Sequence, residues 1–244
     1  MAEAALWGLV AGSSLLIGAV VAIALRPDKA VIGAVMGFGA GVLISAVAYE
    51  LVAEAFHAAD GSGRAAAGLL VGALAFFLGD LYIDRRGGAG RKRSSGDQDT
   101  GNSQAIVLGT VLDGVPEGIV IGLGLIEGGG VSVAVIAAVF LSNLPEALAA
   151  TTGLERAGFE RGTIFRMWGV IALAIGPISA ALGFSLFDSA SNETIAFVQG
   201  FAAGALLTML ADTMMPEAYE VGGRVVGLLT VLGFALAFAL TTLE

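Results

Sequence analysis

The chain has 244 residues, of which 57% are hydrophobic and 14% charged, with 37 glycines and a formal net charge of −9. A soluble domain of this size cannot hide so much apolar surface, so the composition indicates a protein with several membrane crossings. The acidic balance argues against nucleic acid as a partner, and the absence of cysteine rules out disulfides and thiolate metal sites.

Runs close to the roughly 20 residues needed to cross a hydrocarbon core recur along the chain. They lie at about 4–25, 30–55, 65–84, 104–126, 131–153, 164–187, 194–219 and 224–243. Strict alternation of apolar and polar residues is absent and the runs are rich in Ala, Leu and Gly. The expected fold is therefore an all-α polytopic membrane protein of about eight helices rather than a transmembrane barrel. The first run follows Met1-Ala-Glu3 instead of a basic segment, so it reads as a span and not as a cleaved signal. Close glycines such as those in Gly37-Phe-Gly-Ala-Gly41 suit tight contact between helix backbones.

If alternate connections share one side, that side holds every basic residue except Arg64, including Arg26, Lys29, Arg85, Arg86, Arg91, Lys92, Arg93, Arg156, Arg161, Arg166 and Arg224. The positive-inside rule then puts those connections in the cytoplasm and both termini outside the cytoplasm, with the cell membrane as the expected location. Residues 1–244 read as a single transmembrane domain. Its longest connection, at about 85–103, reads as a flexible cytoplasmic loop.

An internal repeat organises the spans. Gly37-Phe-Gly-Ala-Gly-Val-Leu-Ile-Ser-Ala-Val-Ala-Tyr-Glu-Leu-Val-Ala-Glu-Ala55 aligns without a gap on Gly200-Phe-Ala-Ala-Gly-Ala-Leu-Leu-Thr-Met-Leu-Ala-Asp-Thr-Met-Met-Pro-Glu-Ala218. Helix two thus resembles helix seven, and the number of crossings between them makes the two antiparallel. The expected architecture is an inverted repeat relating helices 1–3 to 6–8 around a central pair, helices 4 and 5, a recurrent design of secondary transporters.

The central pair carries the chemistry. Asp113-Gly-Val-Pro-Glu117-Gly118 and Ser142-Asn-Leu-Pro-Glu146-Ala147 each place an oxygen-bearing side chain one turn before a Glu, on one helix face, with a proline beside the Glu. A proline inside a helix frees the carbonyl one turn back, here Leu112 and Leu141. Asp113, Glu117 and Glu146 cannot all stay ionised side by side in a low dielectric, and neither span contains a Lys or Arg to neutralise them. They must bind a cation or carry protons. Oxygen donors from two helices, Asp113, Glu117, Ser142, Asn143 and Glu146, suit a divalent metal ion.

With these motifs in view, the chain resembles the ZIP (Zrt/Irt-like) divalent metal transporters. In that family the helix-four motif reads roughly His-Asn-x-Pro-Glu-Gly and the helix-five motif His/Gln-Asn/Asp-x-Pro-Glu-Gly/Ala. The resemblance covers nearly the whole chain and extends to Glu50-Leu-Val-Ala-Glu54-Ala55 in helix two and Asp212-Thr-Met-Met-Pro-Glu217 in helix seven. It implies transport of Zn²⁺ or a related dication through a metal centre between helices 4 and 5, by alternating access. Carried over to this chain, it leaves the metal as the substrate, requires no organic cofactor, and allows a homodimer.

The departures bear on the substrate. Asp113 and Ser142 stand where the family usually offers histidine or glutamine, and Gly114 and Gly176 replace further ligands, which leaves one principal metal site. Oxygen donors hold Mn²⁺, Fe²⁺ or Mg²⁺ as well as Zn²⁺, so broad divalent specificity is expected. Glu50, Glu54, Asp212 and Glu217, toward the ends of helices two and seven, are expected along the ion's pathway. No Ser/His/Asp or Cys/His constellation or phosphate-binding glycine loop points to an enzyme. The rival reading is a ZIP-like membrane sensor or partner subunit with a degraded metal site.

Overall fold

The computed structural model describes residues 1–59, 61–88, 93–94, 103–126 and 132–242. Among these residues there is no strand, and eight helices follow one another: α1 (Ala2–Leu25), α2 (Lys29–Ala58), α3 (Arg64–Gly88), α4 (Ser103–Gly124), α5 (Val133–Arg156), α6 (Arg161–Phe187), α7 (Asn192–Gly222) and α8 (Val225–Thr241). Six of them, all but α4 and α8, meet the length and hydropathy of a membrane span across their described residues. The protein is an all-α polytopic membrane protein, as its composition requires. Most of the 85–103 connection, expected to be flexible, lies outside the described residues.

Local chemistry sets the helix ends. Asp28, Ser132 and Ser191 each accept a hydrogen bond from the backbone N–H three residues on, capping α2, α5 and α7. At the other end of α1, Arg26 adopts a left-handed conformation, φ 45°, that stops the helix.

Wider, π-helical turns lie within α2 at Val47–Ala53, within α6 at Ile171–Ile175 and within α7 at Leu210–Met214, and α3 ends on another at Asp84–Gly88. Pro177 and Pro216 follow closely in α6 and α7, where a missing N–H and the bulk of the ring disturb the regular ladder. In α2, however, Ala53 stands at the position of Pro216. Both wide turns begin at equivalent residues of the repeat, Val47 and Leu210, so repeat packing as well as proline selects them.

Helix contacts obey the same two-fold relation. Extensive contacts join α3 with α7, α2 with α8, α1 with α5, and α4 with α6. Exchanging α2 with α7, α3 with α8, α1 with α6 and α4 with α5 turns each of these pairs into another of them. Two groups result, α1/α4/α5/α6 and α2/α3/α7/α8, which meet where α2 touches α5, α4 touches α7 and α3 touches α4. Met36, Leu43, Leu206 and Met209 share a core at that seam with Val120 of α4 and Leu148 of α5, while Leu15, Leu154, Ile164 and Trp168 fill one inside the first group. Leu70, Leu74, Leu173, Leu186, Leu228 and Val231 stay exposed on the outside, where bilayer lipid would cover them.

Candidate metal centre

The site is assembled around α4 and α5, which run as continuous helices through Pro116 and Pro145. On α4, Asp113 and Glu117 are each 3% exposed; on α5, Asn143 is 7% and Glu146 6% exposed. All four line one cavity, bordered on its other sides by α1 and α6. Its volume, counted as space open to the centre of a water molecule, is about 30 Å³, above the roughly 10–15 Å³ that a single water occupies on that measure. An ion with little retained water fits such a space.

Small residues create the room. Gly8 and Gly12 of α1, Gly114 and Gly118 of α4, and Gly176 of α6 all border the cavity. Gly8 and Gly176 also face each other closely: a Cβ added to either would run into the other's carbonyl. Gly114 differs, since an added Cβ would meet only the Ile175 Cγ2 at 3.4 Å, an ordinary contact. Both positions at which the resembled family carries extra ligands, Gly114 and Gly176, are thus on the cavity wall without a side chain to offer.

Ser142 takes a different place. It is 1% exposed, its hydroxyl donates to the Val139 carbonyl at 3.0 Å, and it is absent from the cavity lining. On α5 the cavity instead takes Val139, Asn143 and Glu146. The Leu141 carbonyl freed by Pro145 lies against Gly39 of α2, where an added Cβ would come within 2.8 Å of it. A further oxygen, in Thr110, one turn before Asp113, does line the cavity. Its spacing from Asp113 and Glu117 was the signal in the sequence.

Among the described residues no three His, Asp or Glu side chains are drawn together tightly enough to hold an ion. The cavity therefore presents a donor set of carboxylates, an amide and a hydroxyl that a cation would have to gather. Glu117 also borders a second, apolar cavity of about 10 Å³ on the same measure, with Val47 and Leu51 of α2, Val135 of α5 and Leu206 of α7.

The residues expected along a pathway are not gathered at this cavity. Glu50, 6% exposed, sits in the wide turn of α2 and its Oε2 accepts from the Ser132 hydroxyl at 3.1 Å. Glu54 accepts from Gln199 Nε2 at 3.4 Å. Its repeat mate Glu217 is buried and accepts from both the N–H and the hydroxyl of Ser94, at 2.8 and 2.7 Å, while Arg156 donates to the Ser94 carbonyl. Asp212 lies in the wide turn of α7 and is exposed, as is His57 beyond Glu54.

No family model matches the chain. A curated plant protein does. It is a candidate zinc transporter by name, from Arabidopsis thaliana, 28% identical over 220 residues that make up 88% of this chain and 34% of the relative. The chain thus spans about a third of that protein's length.

Proposed function

We propose that this protein moves divalent metal cations across a membrane and that the α4–α5 cavity is where the ion is held in transit. One observation carries the reading: Asp113, Glu117, Asn143 and Glu146 line a single buried space at the centre of an inverted repeat. Carboxylates at membrane depth are costly and persist where they serve an ion or proton pathway. Oxygen donors from two helices match hard or borderline dications, so Zn²⁺, Mn²⁺, Fe²⁺ and Mg²⁺ are all substrates to test. The likeness to a candidate zinc transporter supports testing Zn²⁺ first, and the motif resemblance supports the ZIP family as the proposed affiliation.

The mechanism follows from the two helix groups. Packing is tighter within each group than across the α2–α5 and α4–α7 seams, so relative movement of the groups exposes the cavity to one side and then the other. Binding must draw the donors together, which links occupancy to that movement. In this reading the chain is one transmembrane domain in the cell membrane, with the Arg-rich connections cytoplasmic and both termini outside. A homodimer is compatible with its exposed apolar faces.

Metal uptake into proteoliposomes tests the proposal, with Glu117→Ala and Glu146→Ala as controls. Uptake by the native chain and its loss in both variants support transport through this cavity; uptake indifferent to both substitutions refutes the site. A second reading, a metal-sensing or partner subunit that does not transport, is favoured by Gly114 and Gly176 on the cavity wall and by Ser142 off it. Metal binding by the purified chain without any uptake would select it.

A further inference from the structure

We propose that Glu50 is a second cation site, lying between bulk solution and Glu117, and that its hydrogen bond to Ser132 is the latch a cation must open to reach the centre. The inference rests on the transport reading and adds a route and a gate to it.

Glu50 and Ser132 belong to different helix groups. Ser132 caps α5, accepting from the Val135 N–H at 3.2 Å while its hydroxyl donates to Glu50 Oε2 at 3.1 Å. The bond ties α2 to the start of α5 across the seam that must part if the groups move. The other carboxylate oxygen, Oε1, is buried with no hydrogen-bond partner among the described residues. A buried carboxylate with one unused oxygen and one oxygen held by a single hydroxyl is poised to exchange that donor for a cation.

The surroundings supply the route. The small cavity beside Glu117 is bounded by Val47 and Leu51, which flank Glu50 on α2, and by Val135, the residue whose N–H Ser132 caps. It thus lies between chain neighbours of Glu50 and Ser132 on one side and Glu117, a ligand of the central cavity, on the other. Its remaining walls are apolar, which keeps it nearly dry while the latch is closed. The positive end of α5 at Ser132 repels an approaching cation. Glu50, bonded to Ser132 at that helix end, offsets the repulsion. By the distribution of basic residues this threshold faces away from the cytoplasm.

The absence of cysteine makes a direct test simple. A Val135→Cys variant is labelled in proteoliposomes with a charged, membrane-impermeant methanethiosulfonate. Labelling should be slow in this background and faster by roughly tenfold, the equivalent of about 1.4 kcal/mol, when Ser132→Asp is added. Aspartate still caps α5 but cannot donate to Glu50. Faster labelling with Ser132→Ala but not with Ser132→Asp would assign the effect to loss of the cap and overturn the latch, as would no acceleration with either. In the uptake assay, Glu50→Gln should raise KM for Zn²⁺ by roughly tenfold while metal binding at the centre, read by equilibrium dialysis, is retained. An unchanged KM overturns the access site. If the native chain shows no uptake, the transport reading fails by itself and the labelling rates still decide the latch.

Discussion

Gly41 in α2 and Gly204 in α7 are repeat mates, and each presses against a backbone carbonyl of its partner helix, Thr230 in α8 and Leu69 in α3 respectively. The relation continues at Gly233 and Gly72, which press against the carbonyls of Phe38 and Phe201, themselves repeat mates. Two-fold symmetry in this protein is therefore written into backbone contacts, and the glycines fix the distance between the helices that flank the central pair.

Substituting Gly41 or Gly204 by Ala should destabilise the protein by a similar amount, about 1–3 kcal/mol, because the added carbon meets backbone that cannot step aside. Gly169 in α6 has open space around it, so Gly169→Ala should be neutral or slightly stabilising. Thermal unfolding in detergent, compared across the three variants, reads the contrast. Equal losses at all three positions would remove the packing explanation.

Asn143 and Ser142 separate the cavity from its surroundings. Asn143→Ala should weaken Zn²⁺ or Mn²⁺ binding by roughly tenfold or more, whereas Ser142→Ala, whose hydroxyl is spent on the Val139 carbonyl, should leave affinity unchanged. Equilibrium dialysis of the two variants distinguishes them.

Restoring lost donors should work at one glycine and fail at the other. Gly114→Asn places an amide at the cavity wall with only the Ile175 methyl nearby, so tighter Zn²⁺ binding is expected. Gly176→Glu drives its Cβ against the Gly8 carbonyl, at 2.5 Å, and should lower stability rather than raise affinity. Dialysis and thermal unfolding of both proteins check the pair.

An oxygen-only centre should discriminate poorly among dications. Mn²⁺ and Fe²⁺ are expected to compete with Zn²⁺ for uptake, and Mg²⁺ to do so at higher concentration. Zinc uptake unaffected by any of the three would require softer ligands than the cavity contains.

The eight helices and the repeat were legible in the sequence because hydropathy and the Gly37–Ala55 match to Gly200–Ala218 depend on the chain alone. The wide turns were not, since Ala53 stands in the repeat where Pro216 does and differs from it in local preference, yet both helices widen from equivalent residues, Val47 and Leu210. At the site, Glu117 and Glu146 followed from their motifs. Ser142 and Asn143 could not be separated by spacing, because residues three and four before Glu146 both approach its face. Gly8 and Gly12 went unseen for a different reason: they come from α1, far along the chain, and contribute space instead of a ligand.

The most direct measurement is anomalous scattering from crystals of the protein soaked with Zn²⁺ or Mn²⁺. The account predicts one principal peak in the α4–α5 cavity, within bonding distance of side-chain oxygens from Asp113, Glu117, Asn143 and Glu146. A fully occupied ion elsewhere with this cavity empty would contradict it.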